Sequence, residues 1–316
     1  MRILVTGAAG FIGSWLSERL LALEHEVRGI DCLTDYYSPD MKRRNLRRAL
    51  QNDRFHFFEE DLLGANLAGL LDGCETVFHQ AAQAGVRASW GRDFQIYTDN
   101  NVLATQRLLE AARESSIKRL VYASSSSVYG DAENMPVSEE EPPRPVSPYG
   151  VTKLAAEHLC LLYHKNFGVP TIALRYFTVY GPRQRPDMAF HKFIRAILDK
   201  EPIALFGDGE QTRDFTYIDD AVESNMLAME HGKPGTVYNI GGGSRISVNR
   251  TIEILEEITG IKAIVNKTGP QKGDVLHTWA NTTRAQKDLG FLPRHSIADG
   301  LRNEVEWLKR IRAERA

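Results

Sequence analysis

The chain has 316 residues, 42% hydrophobic and 25% charged, with a formal net charge of -2. This is ordinary globular composition, long enough for one large domain or two closely packed ones. The near-neutral charge argues against a general affinity for nucleic acid or acidic membranes, while leaving room for a local basic pocket around a phosphorylated ligand.

Arg2-Ile3-Leu4-Val5 is a short apolar run, broken by Thr6-Gly7-Ala8-Ala9-Gly10. Phe11, Ile12, Trp15, Leu16, Leu20 and Leu23 then recur at helical spacing. Val27–Ile30 is expected as a second strand ending at Asp31, and Lys42–Arg48 as a basic, solvated helix. Phe55–Phe58 and Thr76–His79 follow as strands three and four, and Phe94–Glu114 as one long helix. Arg119–Tyr122 is a fifth strand running into the cluster Ser124–Ser127. The acidic, proline-rich Glu139–Pro143 is expected as a surface loop, Tyr149–Phe167 as a helix and Thr171–Leu174 as a sixth strand.

Strands alternating with helices imply an α/β fold, a doubly wound parallel sheet covered on both faces, with ligands at the carboxyl ends of the strands. After Arg175 the rhythm loosens. Short strands at Ile203–Phe206, Val237–Ile240 and Ala263–Val265 are expected in a smaller C-terminal α/β lobe. The division is placed at 1–175 and 176–316, with the chain free to cross back. Cys32, Cys74 and Cys160 are odd in number and widely spaced, which indicates neither a disulfide framework nor a cysteine zinc site. His158 and His164 are poorly placed for joint ligation, so no metal is expected. No apolar run approaches the ~20 residues of a membrane span. The first strand begins at Arg2, leaving no room for a signal peptide, and a cytoplasmic location is expected.

Gly7, Gly10 and Gly13 stand at positions one, four and seven of a strand-turn-helix junction. Glycine permits the tight turn and close approach of backbone N–H groups to a pyrophosphate, and the helix N-terminus adds partial positive charge. Phe11 and Ile12 belong to the same junction. Asp31 stands where an acid accepts hydrogen bonds from adenosine ribose hydroxyls and repels a 2′-phosphate, so NAD is favoured over NADP. Asp61-Leu62 ends the third strand and either meets the adenine or is merely a strand end.

Tyr149 and Lys153 are four residues apart, behind Ser147 as N-cap and Pro148 at the first helical position. They share one helix face. A tyrosine with a pKa near 10 is a poor base at neutrality, and a nearby ammonium is expected to lower it. The hydroxyls of Ser124–Ser127 face the same crevice and could relay a proton.

The glycine motif, the serine cluster and Tyr149-x-x-x-Lys153 together resemble the extended short-chain dehydrogenase/reductase family, over nearly the whole chain. Within it the sequence is similar to nucleotide-sugar 4-epimerases, particularly those acting on UDP-glucuronate. The resemblance rests on His79–Arg87, Asn100-Asn101-Val102, Ser124–Gly130 and Tyr176–Met188. It implies a Rossmann-type NAD-binding domain, a UDP-sugar substrate and a homodimer formed through the helices Phe94–Glu114 and Tyr149–Phe167.

The same resemblance assigns roles. Tyr149 is the base and Ser125 its hydroxyl partner, with Asn101, Tyr176 and Lys153 at the nicotinamide half of the cofactor. Phe206 packs on uracil, Arg213 and Lys192 meet phosphate, Asp274 meets the uridine ribose, and Arg87 serves the sugar or phosphate. Read without the resemblance, Phe206 is core, and Arg213 and Lys192 are solvated surface charges. Related dehydratases and decarboxylases carry an acid two positions after the catalytic hydroxyl residue, where this chain has Ser127, and Ser126 is not acidic either. Thr178 stands where UDP-glucose 4-epimerases usually have Asn, and Gln271 where they have Arg. Both match the hexuronate branch, whereas Lys272 replaces its common proline. Arg185, or else Arg183, is the candidate for the hexuronate carboxylate, since a guanidinium suits bidentate recognition. A UDP-glucose 4-epimerase, a decarboxylase or dehydratase, and a non-catalytic dinucleotide sensor are the alternatives.

Overall fold

A computed structural model describes residues 1–243, 245–269, 273 and 275–314. The central sheet contains β1 (Arg2–Thr6), β2 (Glu26–Ile30), β3 (Phe55–Phe58), β4 (Thr76–His79), β5 (Arg119–Ser125) and β6 (Thr171–Tyr176). Every pairing is parallel, and the spatial order runs β3-β2-β1-β4-β5-β6 and on to a seventh strand. The order reverses between β1 and β4, which opens a crevice at their carboxyl ends, the usual ligand position in such sheets.

Side-chain alternation along β1 explains why this run is a central strand. Ile3 and Val5 join one apolar cluster with Leu16 and Leu20 of helix α1 (Phe11–Ala22), and Leu4 joins another on the opposite face with Leu108 and Leu109. All seven side chains are fully buried. Full burial of Leu16 and Leu20 contributes about 2 kcal/mol each. Polar groups inside the sheet are paired. His79 Nδ1 lies 2.7 Å from Thr6 Oγ1, and its Nε2 lies 2.9 Å from Thr105 Oγ1. Burial pushes the His79 imidazole down to about 3, so it is neutral.

Several expectations change. The basic helix, α2 (Pro39–Leu46), is not solvated throughout: Lys42 and Asn45 are buried. Lys42 donates to Thr34 O at 2.7 Å and Thr34 Oγ1 at 2.9 Å, so a backbone carbonyl and a hydroxyl replace water around the ammonium. After α3 (Leu67–Leu71), the expected long helix is interrupted. It runs as α4 (Phe94–Tyr97), a wider π-helical turn over Thr98–Leu103, and α5 (Ala104–Arg113). β5 extends through Ser124 and Ser125, so these serines belong to the strand rather than to a loop after it.

Helix α6 (Pro148–Phe167) begins and ends as its sequence signals require. Ser147 accepts a hydrogen bond from Gly150 N, Pro148 opens the helix, and Gly168 closes it with φ +73°. The remaining elements are β7 (Val179–Tyr180), α7 (Ala189–Asp199), β8 (Pro202–Phe206), β9 (Thr212–Asp214), β10 (Thr216–Tyr217), α8 (Ile218–His231), β11 (Thr236–Ile240), β12 (Arg245–Ser247), α9 (Val248–Thr259), β13 (Ile264–Thr268), α10 (Thr283–Leu289) and α11 (Ile297–Ala313). β8–β13, β9–β12 and β7–β10 form two-stranded pieces beside the main sheet. β11 does not lie with them. It is the seventh strand of the central sheet, paired in parallel with β6.

Glu139 is also more than a surface residue. Its side chain is 4% exposed and accepts from Asn239 N at 2.8 Å, because β11 leaves that edge N–H in need of a partner.

Candidate active site

The turn after β1 needs glycine on steric grounds. Gly7 has φ +68°, and a Cβ there would lie 2.7 Å from Ala81 N; one on Gly13 would lie 2.1 Å from Gly7 O. Helix α1 starts at Phe11 behind Gly10, with no side chain capping its first N–H groups. Those groups and the positive end of the helix fit an anion. Asp31 closes the same corner. Its Oδ2 accepts from Ala9 N at 3.1 Å and its Oδ1 from Leu33 N at 2.9 Å. Burial raises its pKa, opposed by the Leu33 N–H, the Lys42 charge and the Ala9 N–H. Asn45 Nδ2 donates to Ala9 O at 3.0 Å, a buried support for the turn that helical periodicity did not single out.

From this corner a cavity of about 1030 Å³ runs along the strand ends to β8 and β9. Its wall includes Gly7, Gly10, Phe11, Ile12, Gly13, Asp31, Asp61 and Leu62 at one end. Ser125, Ser126, Ser127, Tyr149, Lys153, Tyr176 and Thr178 line the middle. Arg87, Arg185, Lys192, Phe206 and Arg213 line the rest. Among the described residues expected at the site, Asn101 and the alternative candidate Arg183 stay off that wall. The Asn101 amide is spent behind it, accepting from Gln83 N at 2.7 Å and donating to Gln83 O and Thr152 Oγ1. It thus ties the cavity wall to the helix that carries Lys153. Asp274 lies outside the described residues, as do Gln271 and Lys272.

At the centre, Tyr149 is hydrogen-bonded to Ser125 and lies edge-on to Tyr97, with ring centroids 6.3 Å apart. Tyr97 is fixed in turn by donating to Gly85 O at 2.8 Å. The expected acidification of the phenol by Lys153 is not found. Desolvation raises the Tyr149 pKa above 10, and what opposes it is the Ser125 bond and the charge of Arg185. Lys153 Nζ lies instead over the Tyr122 ring, 4.5 Å from its centroid, and burial lowers its own pKa to about 7. Spacing of four residues sets a shared helix face but not the direction of a flexible lysine.

Ser124, beside Ser125, also borders the cavity, but its hydroxyl is engaged elsewhere. Its hydroxyl donates to Glu157 Oε2 at 2.6 Å, within a buried ion pair of Glu157 and Arg175. Tyr176 accepts from Asn225 Nδ2 at 2.7 Å, and Gln80 Nε2 donates to Asn225 Oδ1 at 2.9 Å. Gln80 and Asn225 carry no local sequence signal, since their partners lie far along the chain.

At the far end, Arg87 stacks on Phe206 with its Cζ 4.3 Å from the ring centroid. Arg213 donates to Thr212 O and Leu276 O, both at 3.0 Å. Arg183 and Arg185 diverge. Arg183 turns to helix α1, donating to Glu18 Oε1 at 2.7 Å and packing on Trp15. Arg185 faces the cavity and holds Asp187 through Nε and Nη2, both at 3.0 Å.

The model of the NAD dependent epimerase/dehydratase family matches residues 3–241. A Bacillus subtilis (strain 168) protein described as an uncharacterized UDP-glucose epimerase is 48% identical, over 98% of this chain and 99% of its own. A UDP-glucuronate 4-epimerase of Thermodesulfobacterium geofontis (strain OPF15) is 41% identical, over 97% and 95%. A crystal structure of UDP-glucuronic acid 4-epimerase from Bacillus cereus, in complex with UDP-glucuronic acid and NAD, superposes with a TM-score of 0.96. It is 47% identical and covers 98% of this chain and 100% of that one.

Proposed function

The chain belongs to the NAD dependent epimerase/dehydratase family, and from that premise we propose that it is a UDP-glucuronate 4-epimerase, an isomerase that converts UDP-glucuronate to UDP-galacturonate through a transient 4-keto sugar. The observation that carries this reading is a convergence on one cavity. The glycine turn, Tyr149 with its Ser125 partner, and Arg185 all open onto the same space. Relatives that act on UDP-glucuronate support it across the full length of the chain.

The residues present suit NAD. The Gly7–Gly13 turn would hold its pyrophosphate, Asp31 the adenosine ribose, Asp61 and Leu62 the adenine, and Lys153 and Tyr176 the nicotinamide half. Bound there, NAD would supply a reversible hydride acceptor for carbon 4 of the sugar. Tyr149 removes the 4-hydroxyl proton, directly or through Ser125. A positive charge near the phenol counters the burial that raises its pKa, and Arg185 supplies one within the chain.

At the sugar end, Phe206 stacks on uracil, and Arg213 and Lys192 meet the pyrophosphate. Thr178 and Arg87 border the sugar. A 4-keto hexuronate is a β-keto acid, prone to lose carbon dioxide. Arg185 with Ser126 or Ser127 keeps the carboxylate bond near the carbonyl plane, where its electrons overlap poorly with the carbonyl. Neither serine offers the acid that elimination of water requires.

Purified protein incubated with UDP-glucuronate, without added NAD, is expected to yield UDP-galacturonate. A pentose product, or turnover of UDP-glucose alone, overturns the reading. The second of these outcomes has its own support, since Arg185 already holds a carboxylate of the chain's own, that of Asp187, and one close relative is described as a UDP-glucose epimerase.

We further propose a cytoplasmic homodimer. Val151 and Leu162 on α6, with Ile96 and Leu103 on the facing helical segment, are each about half exposed, an apolar surface suited to a second copy. Among the described residues no helix is long and apolar enough to cross a membrane. Sedimentation of Val151→Glu/Leu162→Glu at half the wild-type mass supports the dimer, and an unchanged mass refutes it.

A further inference from the structure

The Arg185 guanidinium does not stand alone over the sugar end of the cavity. Asp187 binds it fork to fork, Oδ1 on Nε and Oδ2 on Nη2, both at 3.0 Å. Asp187 is itself held from across the cleft. Tyr36, on the segment between β2 and α2, donates its hydroxyl to Asp187 Oδ2 at 3.2 Å. That hydroxyl is wedged against Gly85, where a Cβ would lie 2.2 Å from it, and Gly85 has φ +107°. The Arg185 Cζ lies 6.0 Å from the Tyr36 ring centroid, and its charge reaches Tyr149. Three separate segments, around residues 36, 85 and 187, therefore converge to set one guanidinium.

Two consequences follow from this geometry. With Nε and one N–H of Nη2 engaged, the fork cannot rotate, and the end-on edge of Nη1 and Nη2 is left to meet a ligand. With a carboxylate attached, the site offers directed N–H donors but little net positive charge. An incoming sugar carboxylate is then selected by where it sits more than by its charge.

Building on the epimerase reading above, we propose that Asp187, held by Tyr36, is a positioning residue that fixes the orientation and balances the charge of Arg185, so that a hexuronate is held in one geometry rather than merely attracted. A loosely held 4-keto hexuronate has an exit. The C5–C6 bond breaks, carbon dioxide leaves, the electron pair passes through C5 to the C4 carbonyl oxygen, and solvent protonates C5. The cofactor is then left reduced, with a 4-keto pentose as product.

The test uses full-length protein carrying Asp187→Asn, which keeps the shape but removes the charge. Dissociation constants for UDP-glucuronate and UDP-glucose are measured in a Tyr149→Phe background, and product partition is measured with Tyr149 intact. Removing the charge is expected to shift the binding ratio toward UDP-glucuronate by about tenfold. Loosening the fork is expected to raise the share of decarboxylated product by a similar factor. Tyr36→Phe, which leaves the ion pair but frees Asp187, is expected to move partition in the same direction by roughly threefold; it carries the test if the first variant fails to fold.

A binding ratio and a partition both equal to the parent's overturn the proposal, whatever happens to the total rate. Wild-type protein that turns over UDP-glucose but not UDP-glucuronate removes the epimerase reading and this proposal together. Normal UDP-glucuronate turnover with unresponsive variants removes this proposal alone.

Discussion

The two ends of the cavity are built on different principles. The glycine end is the edge of a rigid parallel sheet. Gly7 N donates to Ile30 O at 2.8 Å, Thr6 is bonded to a neutral, buried His79, and the strands behind it pack fully buried apolar side chains against both helical layers. The sugar end is assembled from two-stranded pieces and loops, where Arg213 donates to backbone carbonyls, Arg87 stacks on a ring face and Arg185 pairs with a carboxylate. One end ought to fail by losing stability and cofactor together. The other ought to fail by losing substrate while the fold stands.

Tyr149 sits at the junction and belongs to neither end, so it should show the largest effect. Tyr149→Phe is expected to lower turnover on the order of 10³-fold or more, with cofactor still bound and the melting temperature little changed. Full activity in this variant would break the comparison at its centre, because the phenol would then serve only packing.

Acid tests the sheet end. The folded His79 pKa of about 3 lies below the unfolded value of 6.5. Its contribution to stability is therefore present above pH 6.5 and is lost as pH falls toward 3, when the unfolded chain gains a proton that the fold cannot accept. Across that window the loss reaches roughly 4 kcal/mol. Urea denaturation between pH 7 and 4 should show the decline, and His79→Asn should flatten it. An equal slope in both proteins would remove His79 from the account.

Gly7→Ala should come next in size. A Cβ at φ +68°, 2.7 Å from Ala81 N, forces the turn or β4 to move. Roughly 1–3 kcal/mol of stability is expected to be lost, together with most of the cofactor that co-purifies with the wild-type protein. Unaltered cofactor content would separate the turn from dinucleotide binding.

What could be read from the sequence divides along the same line. The glycine turn, the Ser147 cap, Pro148 and the closing Gly168 act within a few residues of themselves, and their chemistry shows in local order. Lys42 was misplaced as solvated because its neutral partners, Thr34 O and Oγ1, are set by how the loop folds back. Tyr36, Gln80 and Asn225 were missed because their partners lie about 150 residues away. The expected drop in the Tyr149 pKa failed for the same reason: burial and Lys153's turn toward Tyr122 are tertiary facts. β11 looked like any short apolar strand, and only its pairing with β6 decided its sheet.

The smallest expected effect bears on the sugar end alone. Arg213 donates to the carbonyls of Thr212 and Leu276, and it lines the open cavity. Arg213→Ala should therefore cost little stability, since the carbonyls around it can be solvated from the cavity. It should instead raise the KM for the UDP-sugar by roughly tenfold, the worth of one charge-assisted contact, with kcat and bound cofactor nearly unchanged. A fall in melting temperature comparable to that of Gly7→Ala would mean that this end is as much a part of the rigid fold as the other. The contrast between the two ends would then reduce to a difference in ligand, not in construction.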